Sequence, residues 1–294
     1  MGKYIRRLGA TPKGALVLLH TAVFLWGFTA ILGRLITLKA LPLVWHRLWL
    51  TCTVLIFFSG CRRGLKSLKR PDYLRFGFIG LIVATHWLCF YEAIKVANIS
   101  VALVALATGP LFAAIMEPFL TQTRVRWQRL VTGFVGLAGL IVIFLETSGL
   151  GKGFVLGVAA AALAALFSSL NKKYLSDHAA SAVTFVELFS GFVCLTPLVL
   201  LSPPRTWTPV PSDWLWLLLL SAGCTALPFI LSLLALRHVS AFASNLAVNL
   251  EPVYGMILAA IIFHEHETLS VKFYAGSALV LLAVVLNTWL ERKS

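Results

Sequence analysis
A carboxylate, Glu251, lies in the middle of an otherwise apolar run between residues 241 and 263. An ionisable side chain near the centre of a bilayer costs about 2.5 kcal/mol or more on the insertion scale, so this one demands a partner. Two roles answer that demand: loading and unloading a proton during a transport cycle, or pinning the helix to a neighbour through a hydrogen bond. Asn245 and Asn249 stand one helical turn apart on the same run, beside Ser244. Hydrocarbon cannot satisfy such a polar stripe, which must therefore face other helices or a watery cavity.

Aromatic side chains gather at comparable depths in other apolar runs: Trp26 and Phe28; His86, Trp87, Phe90 and Tyr91; Phe167; Phe229; and Tyr254. A pocket lined this way suits an amphiphilic or aromatic organic solute, through ring stacking or cation–π contact. The expected substrate-binding set is Trp26, His86, Trp87, Phe167, Phe229, Asn245, Asn249, Glu251 and Tyr254. Trp45, Trp49, Trp214 and Trp216 fall near run ends, where interfacial belts form. Pro110 and Pro252 are expected to act as paired hinges, since a mid-helix proline frees a carbonyl and kinks the chain. His20, as an imidazole within an apolar run, joins Glu251 as a proton-site candidate, although a lone histidine is more often a packing residue. Arg47 and Glu92 are expected to pair as an outer gate, and Glu187 to snorkel toward Lys172 or Lys173.

Metal and nucleotide chemistry find little support. Cys52, Cys61, Cys89, Cys194 and Cys224 have no metal-ligand spacing. In the His264-Glu265-His266-Glu267 run the two histidines are two residues apart, on different faces of a helix, unlike the H-E-x-x-H pattern. No G-x-x-x-x-G-K-[ST] loop occurs. The reading is therefore of a non-enzyme with no cofactor and no metal, driven by gradients.

The elements that must position these residues are membrane helices. With 59% hydrophobic and 12% charged residues, and a mean hydropathy of +0.89, the chain lies outside the range of soluble domains. Ten segments of roughly the crossing length are read at 14–36, 42–59, 74–94, 99–120, 128–145, 153–171, 180–201, 214–235, 241–263 and 271–290. The first is longer than a signal core and lacks a cleavage site, so it is kept as a span. Ten spans put both termini on one side, where 18 of the 25 Lys and Arg residues then fall, against six opposite. The positive-inside rule makes the termini cytoplasmic. The basic excess is thus topological, matched to anionic lipid headgroups and not to nucleic acid.

The second half of the chain repeats the first. At an offset of 142 positions Ala93, Lys95, Ala102, Pro110 and Ala113 fall opposite Ala235, Arg237, Ser244, Pro252 and Gly255. Five crossings per unit force the halves, 1–146 and 147–294, into opposite orientations, and such inverted repeats serve alternating access around a central site. The expected fold class is all-α integral membrane: ten transmembrane helices as two inverted five-helix repeats. Small residues at Gly133-x-x-Gly136-x-x-Gly139, Gly153-x-x-x-Gly157, 159–165 and 275–278 permit close helix contact, inside the bundle or in a homodimer.

Leu25-Trp26-Gly27-Phe28 with Arg34, Ala93-Ile94-Lys95, Gly109-Pro110-Leu111, Leu250-Glu251-Pro252-Val253 and Phe263-His264-Glu265 resemble the EamA family of the drug/metabolite transporter superfamily, over essentially the whole chain. The resemblance implies a ten-helix secondary carrier of the bacterial cell inner membrane, in a family where many members export amino acids or related metabolites. Family members often carry a glutamate soon after span four; the position matching Glu265 is Thr123 here. A non-transporting receptor and an intramembrane enzyme are the competing classes.

Overall fold
A computed structural model of the chain describes residues 11–124, 126–146, 151–248, 250–264 and 270–293. Helix occupies every stretch read as a span, and among the described residues there is no strand. Lipid forces this outcome, because only a helix or a closed barrel satisfies every backbone group away from water. Polar residues punctuate the helices. Thr11 accepts from Gly14 N at 3.1 Å to start Pro12–Trp26, and Asn98 accepts from Val101 N at 2.8 Å to start Ile99–Leu106.

Among the described residues six helices or helix pairs are long and apolar enough to cross a membrane: Pro12–Leu35, Arg70–Val96, Ile99–Thr121, Gly151–Tyr174, Ala180–Leu200 and Pro211–Leu236. The number becomes seven if Ala40–Ile56 and Ser59–Ser67, which meet at 94°, form one broken span. The basic stretch after residue 59 is thus helical where the sequence suggested a plain connection. Cys61 and Gly64 face inward there while Arg62, Arg63 and Lys66 face out, the amphipathic pattern of a helix lying at an interface.

Three crossings are locally irregular. The first pauses at Gly27–Phe28, between Pro12–Trp26 and Thr29–Leu35. The fourth pauses at Ala107–Thr108, between Ile99–Leu106 and Gly109–Thr121. Pro211–Leu236 contains a π-helical stretch, Leu219–Ala226, between Pro211–Leu218 and Leu227–Leu236. Pro110 occupies the first turn of Gly109–Thr121, directly after the pause at Ala107–Thr108 inside the span Ile99–Thr121. Proline is tolerated there because the first-turn N–H groups have no intrahelical acceptor. Pro252 belongs to the helix Leu250–Phe263, three residues beyond Asn249, which is outside the described residues.

Glycine sets the closest approaches. A Cβ on Gly157 would lie 2.6 Å from that of Ala105, so Gly151–Tyr174 packs flush against Ile99–Leu106. A Cβ on Gly80 would run into the Glu187 carbonyl, joining Arg70–Val96 to Ala180–Leu200. The Gly153-x-x-x-Gly157 pair is therefore spent inside the bundle. Pro12–Trp26 packs on Leu227–Leu236, and Gly151–Tyr174 on Arg70–Val96.

Candidate functional site
At the centre of the bundle a cavity of about 80 Å³ lies among Trp26, Thr29, Arg47, His86, Trp87, Phe167, Phe229, Asn245 and Glu251. Trp26, Trp87 and Phe167 surround Phe229, with ring centroids 6.0, 5.5 and 6.3 Å away. These separations are those of favourable edge and offset contacts. His86 directs Nδ1 at the Ala160 carbonyl, 2.7 Å away. A carbonyl only accepts, so that nitrogen carries the proton.

The polar members are held individually. Glu251, 5% exposed, accepts at Oε1 from the Thr29 hydroxyl at 3.2 Å. The same hydroxyl has one proton, which it shares between Glu251 and the Trp26 carbonyl, the shorter contact at 2.7 Å, beside the Gly27–Phe28 pause. Asn245 donates to Ser168 Oγ at 2.7 Å and to the Ala241 carbonyl at 2.8 Å. The stripe read from 245 and 251 thus faces other helices and a cavity together.

Arg47 is the largest fully enclosed side chain, 2% exposed. Its Nε donates to Thr225 Oγ1 at 2.7 Å, its Nη1 to Tyr91 Oη at 2.9 Å, and its guanidinium carbon lies 3.7 Å from the centroid of the Trp87 ring. Thr225 belongs to the π-helical stretch, and its hydroxyl donates to the Leu220 carbonyl at 2.6 Å, five residues back. The widened turn presents Thr225 to the arginine, a use of π-bulges common at functional sites. No bond between Arg47 and Glu92 occurs among the described residues, so the expected outer gate of that pair is not formed. Its depth was misjudged from the sequence: the Thr225, Tyr91 and Trp87 contacts hold it at the cavity.

Two expected site residues lie elsewhere. Tyr254 is 36% exposed and packs edge-on to Phe24 at 5.9 Å, covering Gly27 from outside the bundle. His20 is exposed on the outer surface of Pro12–Trp26. One helix cannot turn every aromatic or titratable residue inward, and the inward face here belongs to Leu19, Ala22, Val23 and Trp26. Glu187 also departs from expectation: it is 0% exposed beneath Gly80, and Lys172 instead donates to the Leu236 carbonyl at 2.6 Å.

Glu117 is a site residue that the sequence reading passed over, although a carboxylate inside the apolar run 99–120 is as visible as Glu251. It lies in Gly109–Thr121 and accepts from the amides of Ala241 and Phe242 at 2.9 and 2.8 Å, neutralising the start of Ala241–Val248.

The two ends of the bundle differ. At the basic end a vestibule of about 960 Å³ opens among Arg63, Lys172, Asp177, Leu236, Arg237 and His238. Leu236 lines both this vestibule and the central cavity. At the other end the carboxylate of Asp213, 0% exposed, accepts from Thr37 N at 2.9 Å and Thr37 Oγ1 at 2.7 Å. Lys95 donates to the Ile36 carbonyl beside it. His46 donates from Nε2 to the Trp207 carbonyl at 2.8 Å and accepts at Nδ1 from Trp49 at 3.0 Å, which makes it a neutral, satisfied member of a tryptophan cluster.

Contacts at the two ends correspond. Arg237 donates to the His178 carbonyl, as Lys95 does to Ile36, and both residues of the pair are shifted by 142 positions. Asp72 and Asp213 each sit in the first turn of a helix with proline at its start. Asp72 approaches His178 Nε2 only to 3.7 Å, and this pair is partly exposed.

A family model described as the EamA-like transporter family matches residues 13–145 and again 151–289. A protein of Archaeoglobus fulgidus named an uncharacterized transporter is 26% identical over 230 residues, 77% of this chain and 80% of its own length. A Rickettsia prowazekii protein named an S-adenosylmethionine uptake transporter is 26% identical over 237 residues, 79% of this chain and 76% of its own. A solved crystal structure superposes with a TM-score of 0.73 at 20% identity, covering 96% of this chain and 100% of that one.

Proposed function
The chain belongs to the EamA-like transporter family, and from that premise we propose that it is a secondary carrier that moves a small organic solute through the central cavity by alternating access. Two opposed five-helix repeats, 1–146 and 147–294, make up ten spans in this reading. Its termini are cytoplasmic, in a bacterial inner membrane. The observation that carries the proposal is the unequal state of the two ends: Asp213 grips Thr37 at 2.7–2.9 Å, while Asp72, likewise in the first turn of its helix and one position off the 142-residue register, stands 3.7 Å from His178 beside an open vestibule. Exchange of those two conditions between the repeats converts one access state into the other. The packing supports the same symmetry. Under the 142-residue offset, the pairing of Pro12–Trp26 with Leu227–Leu236 maps onto that of Gly151–Tyr174 with Arg70–Val96.

The solute class is amino acids or similar metabolites, and the direction is export, by analogy with the many exporters of the family. Two Rickettsia relatives named for S-adenosylmethionine uptake make that compound a second candidate and inward movement the competing direction. Glu251 is the proton-coupling group. At about 80 Å³ the cavity holds two or three waters and not a whole solute. Loading therefore widens it toward the vestibule, past Leu236.

The test is flux through purified protein in liposomes. Labelled amino acids and S-adenosylmethionine are offered from each side, with and without a pH gradient. Counterflow of at least one of these is expected. Specific binding without flux would instead favour a receptor, and no flux for any of them would end the carrier reading.

A further inference from the structure
Arg47 carries a positive charge into the middle of the bundle without an ion pair. Among the described residues no carboxylate comes within 4.0 Å of it. A guanidinium has five N–H donors, and two are taken, by Thr225 and Tyr91. Among the described residues one N–H on Nη1 and both on Nη2 have no partner, in a side chain that lines the cavity. The unused donors lie on the two terminal nitrogens, the atoms with which a guanidinium grips a planar carboxylate through two parallel bonds. Glu251, on the same cavity, is bonded only at Oε1, and Oε2 has no partner among the described residues.

An enclosed charge with unused donors is costly unless something arrives to use them. Resting on the carrier reading above, we propose that Arg47 is the specificity-determining residue of the cavity: its Nη1/Nη2 fork receives the carboxylate of the solute while Glu251 receives an ammonium on the same molecule. The class of ligand is a small zwitterion with an apolar or aromatic body. A simple cation meets Arg47 without compensation, and a simple anion meets Glu251 in the same way. The body packs against Trp26, Phe167 and Phe229. Thr225, Tyr91 and the Trp87 face fix the fork's direction, so it is ready before solute arrives.

Binding to the purified full-length chain is read by tryptophan fluorescence, since Trp26 and Trp87 line the cavity. The probes are L-phenylalanine, phenethylamine, which lacks the carboxylate, and 3-phenylpropionate, which lacks the amine. The two truncated probes should bind about 10- to 100-fold more weakly, the range for a lost charge-assisted hydrogen bond. Arg47→Gln should erase the preference for L-phenylalanine over phenethylamine, and Glu251→Gln the preference over 3-phenylpropionate. Arg47→Lys, which keeps the charge but not the fork, should fall between, and it serves as the readout if Arg47→Gln does not fold. Equal binding of all three probes, absence of L-phenylalanine binding, or an unchanged preference in the arginine variants overturns the proposal. The carrier reading stands or falls separately, on whether any solute crosses the liposome membrane.

Discussion
Both carboxylate oxygens of Asp213 are taken by one residue, Thr37, through its amide and its hydroxyl. The bond ties the first turn of Pro211–Leu218 to the connection after Thr29–Leu35, at the end opposite the vestibule. The side chain is enclosed, so water does not compete for it.

Asp213→Ala removes both bonds. Hydrogen bonds to a charged group contribute about 1.5–3 kcal/mol each, so the balance between the two access states should shift by tenfold or more toward opening at this end. A cysteine substituted for Phe229 in a cysteine-free background should then react faster with an impermeant maleimide added from that end. An unchanged rate would mean that the bond is not a gate.

Glu251→Gln leaves a hydrogen-bonding side chain beside Thr29 but no titratable one. Counterflow of solute should continue, while accumulation driven by a pH gradient should disappear. Variant protein that still concentrates solute when only a pH gradient is applied would remove Glu251 as the coupling group.

Thr225→Val keeps the shape of the π-helical stretch's side chain and deletes both the acceptor for Arg47 Nε and the donor to the Leu220 carbonyl. A hydrogen bond to a charged group contributes about 1.5–3 kcal/mol, so the solute KM should rise about tenfold or more, and Thr225→Ser, which keeps the hydroxyl, should restore it. Equal damage to KM and stability would point to a packing role.

Gly80→Ala drives a methyl group into the Glu187 carbonyl, whereas a Cβ on Gly223 meets nothing within 4 Å. Overpacking costs about 1–3 kcal/mol. Gly80→Ala should therefore melt several degrees lower in detergent, with Gly223→Ala close to wild type. The comparison fails if the two variants melt alike.

Tyr254→Phe and His20→Ala touch side chains on the outside of the bundle. Solute KM and the pH profile should each stay within about twofold of wild type, since surface changes of this kind contribute within about 0.5 kcal/mol. A displaced pH profile in His20→Ala would return that residue to the proton pathway.

The apolar runs were legible because hydrocarbon length and backbone satisfaction leave helix as the single solution for each. The aromatic members of the cavity were legible for a related reason: Trp26, Trp87, Phe167 and Phe229 lie at similar depths in different runs, and depth can be counted along a helix. Rotation about the helix axis cannot be counted so easily. Tyr254 has the depth of its neighbours but faces outward, and Glu187 faces inward where snorkelling was expected. Arg47 was misread because its placement depends on an acceptor 178 positions away, in a π-helical turn that no residue pattern announces.

Leu236 gives the two faces of the cavity different clocks. On the basic side Leu236 borders both the cavity and the open vestibule, and side-chain rearrangement alone is faster than any motion of whole helices. On the other side the Asp213–Thr37 bond and the Lys95 contact must break together, a collective rearrangement on the scale of microseconds to milliseconds. Solute held by Arg47 and Glu251 would equilibrate with the vestibule many times before each crossing. Occupancy would then track concentration at that face, and turnover would be governed by how often the far end opens.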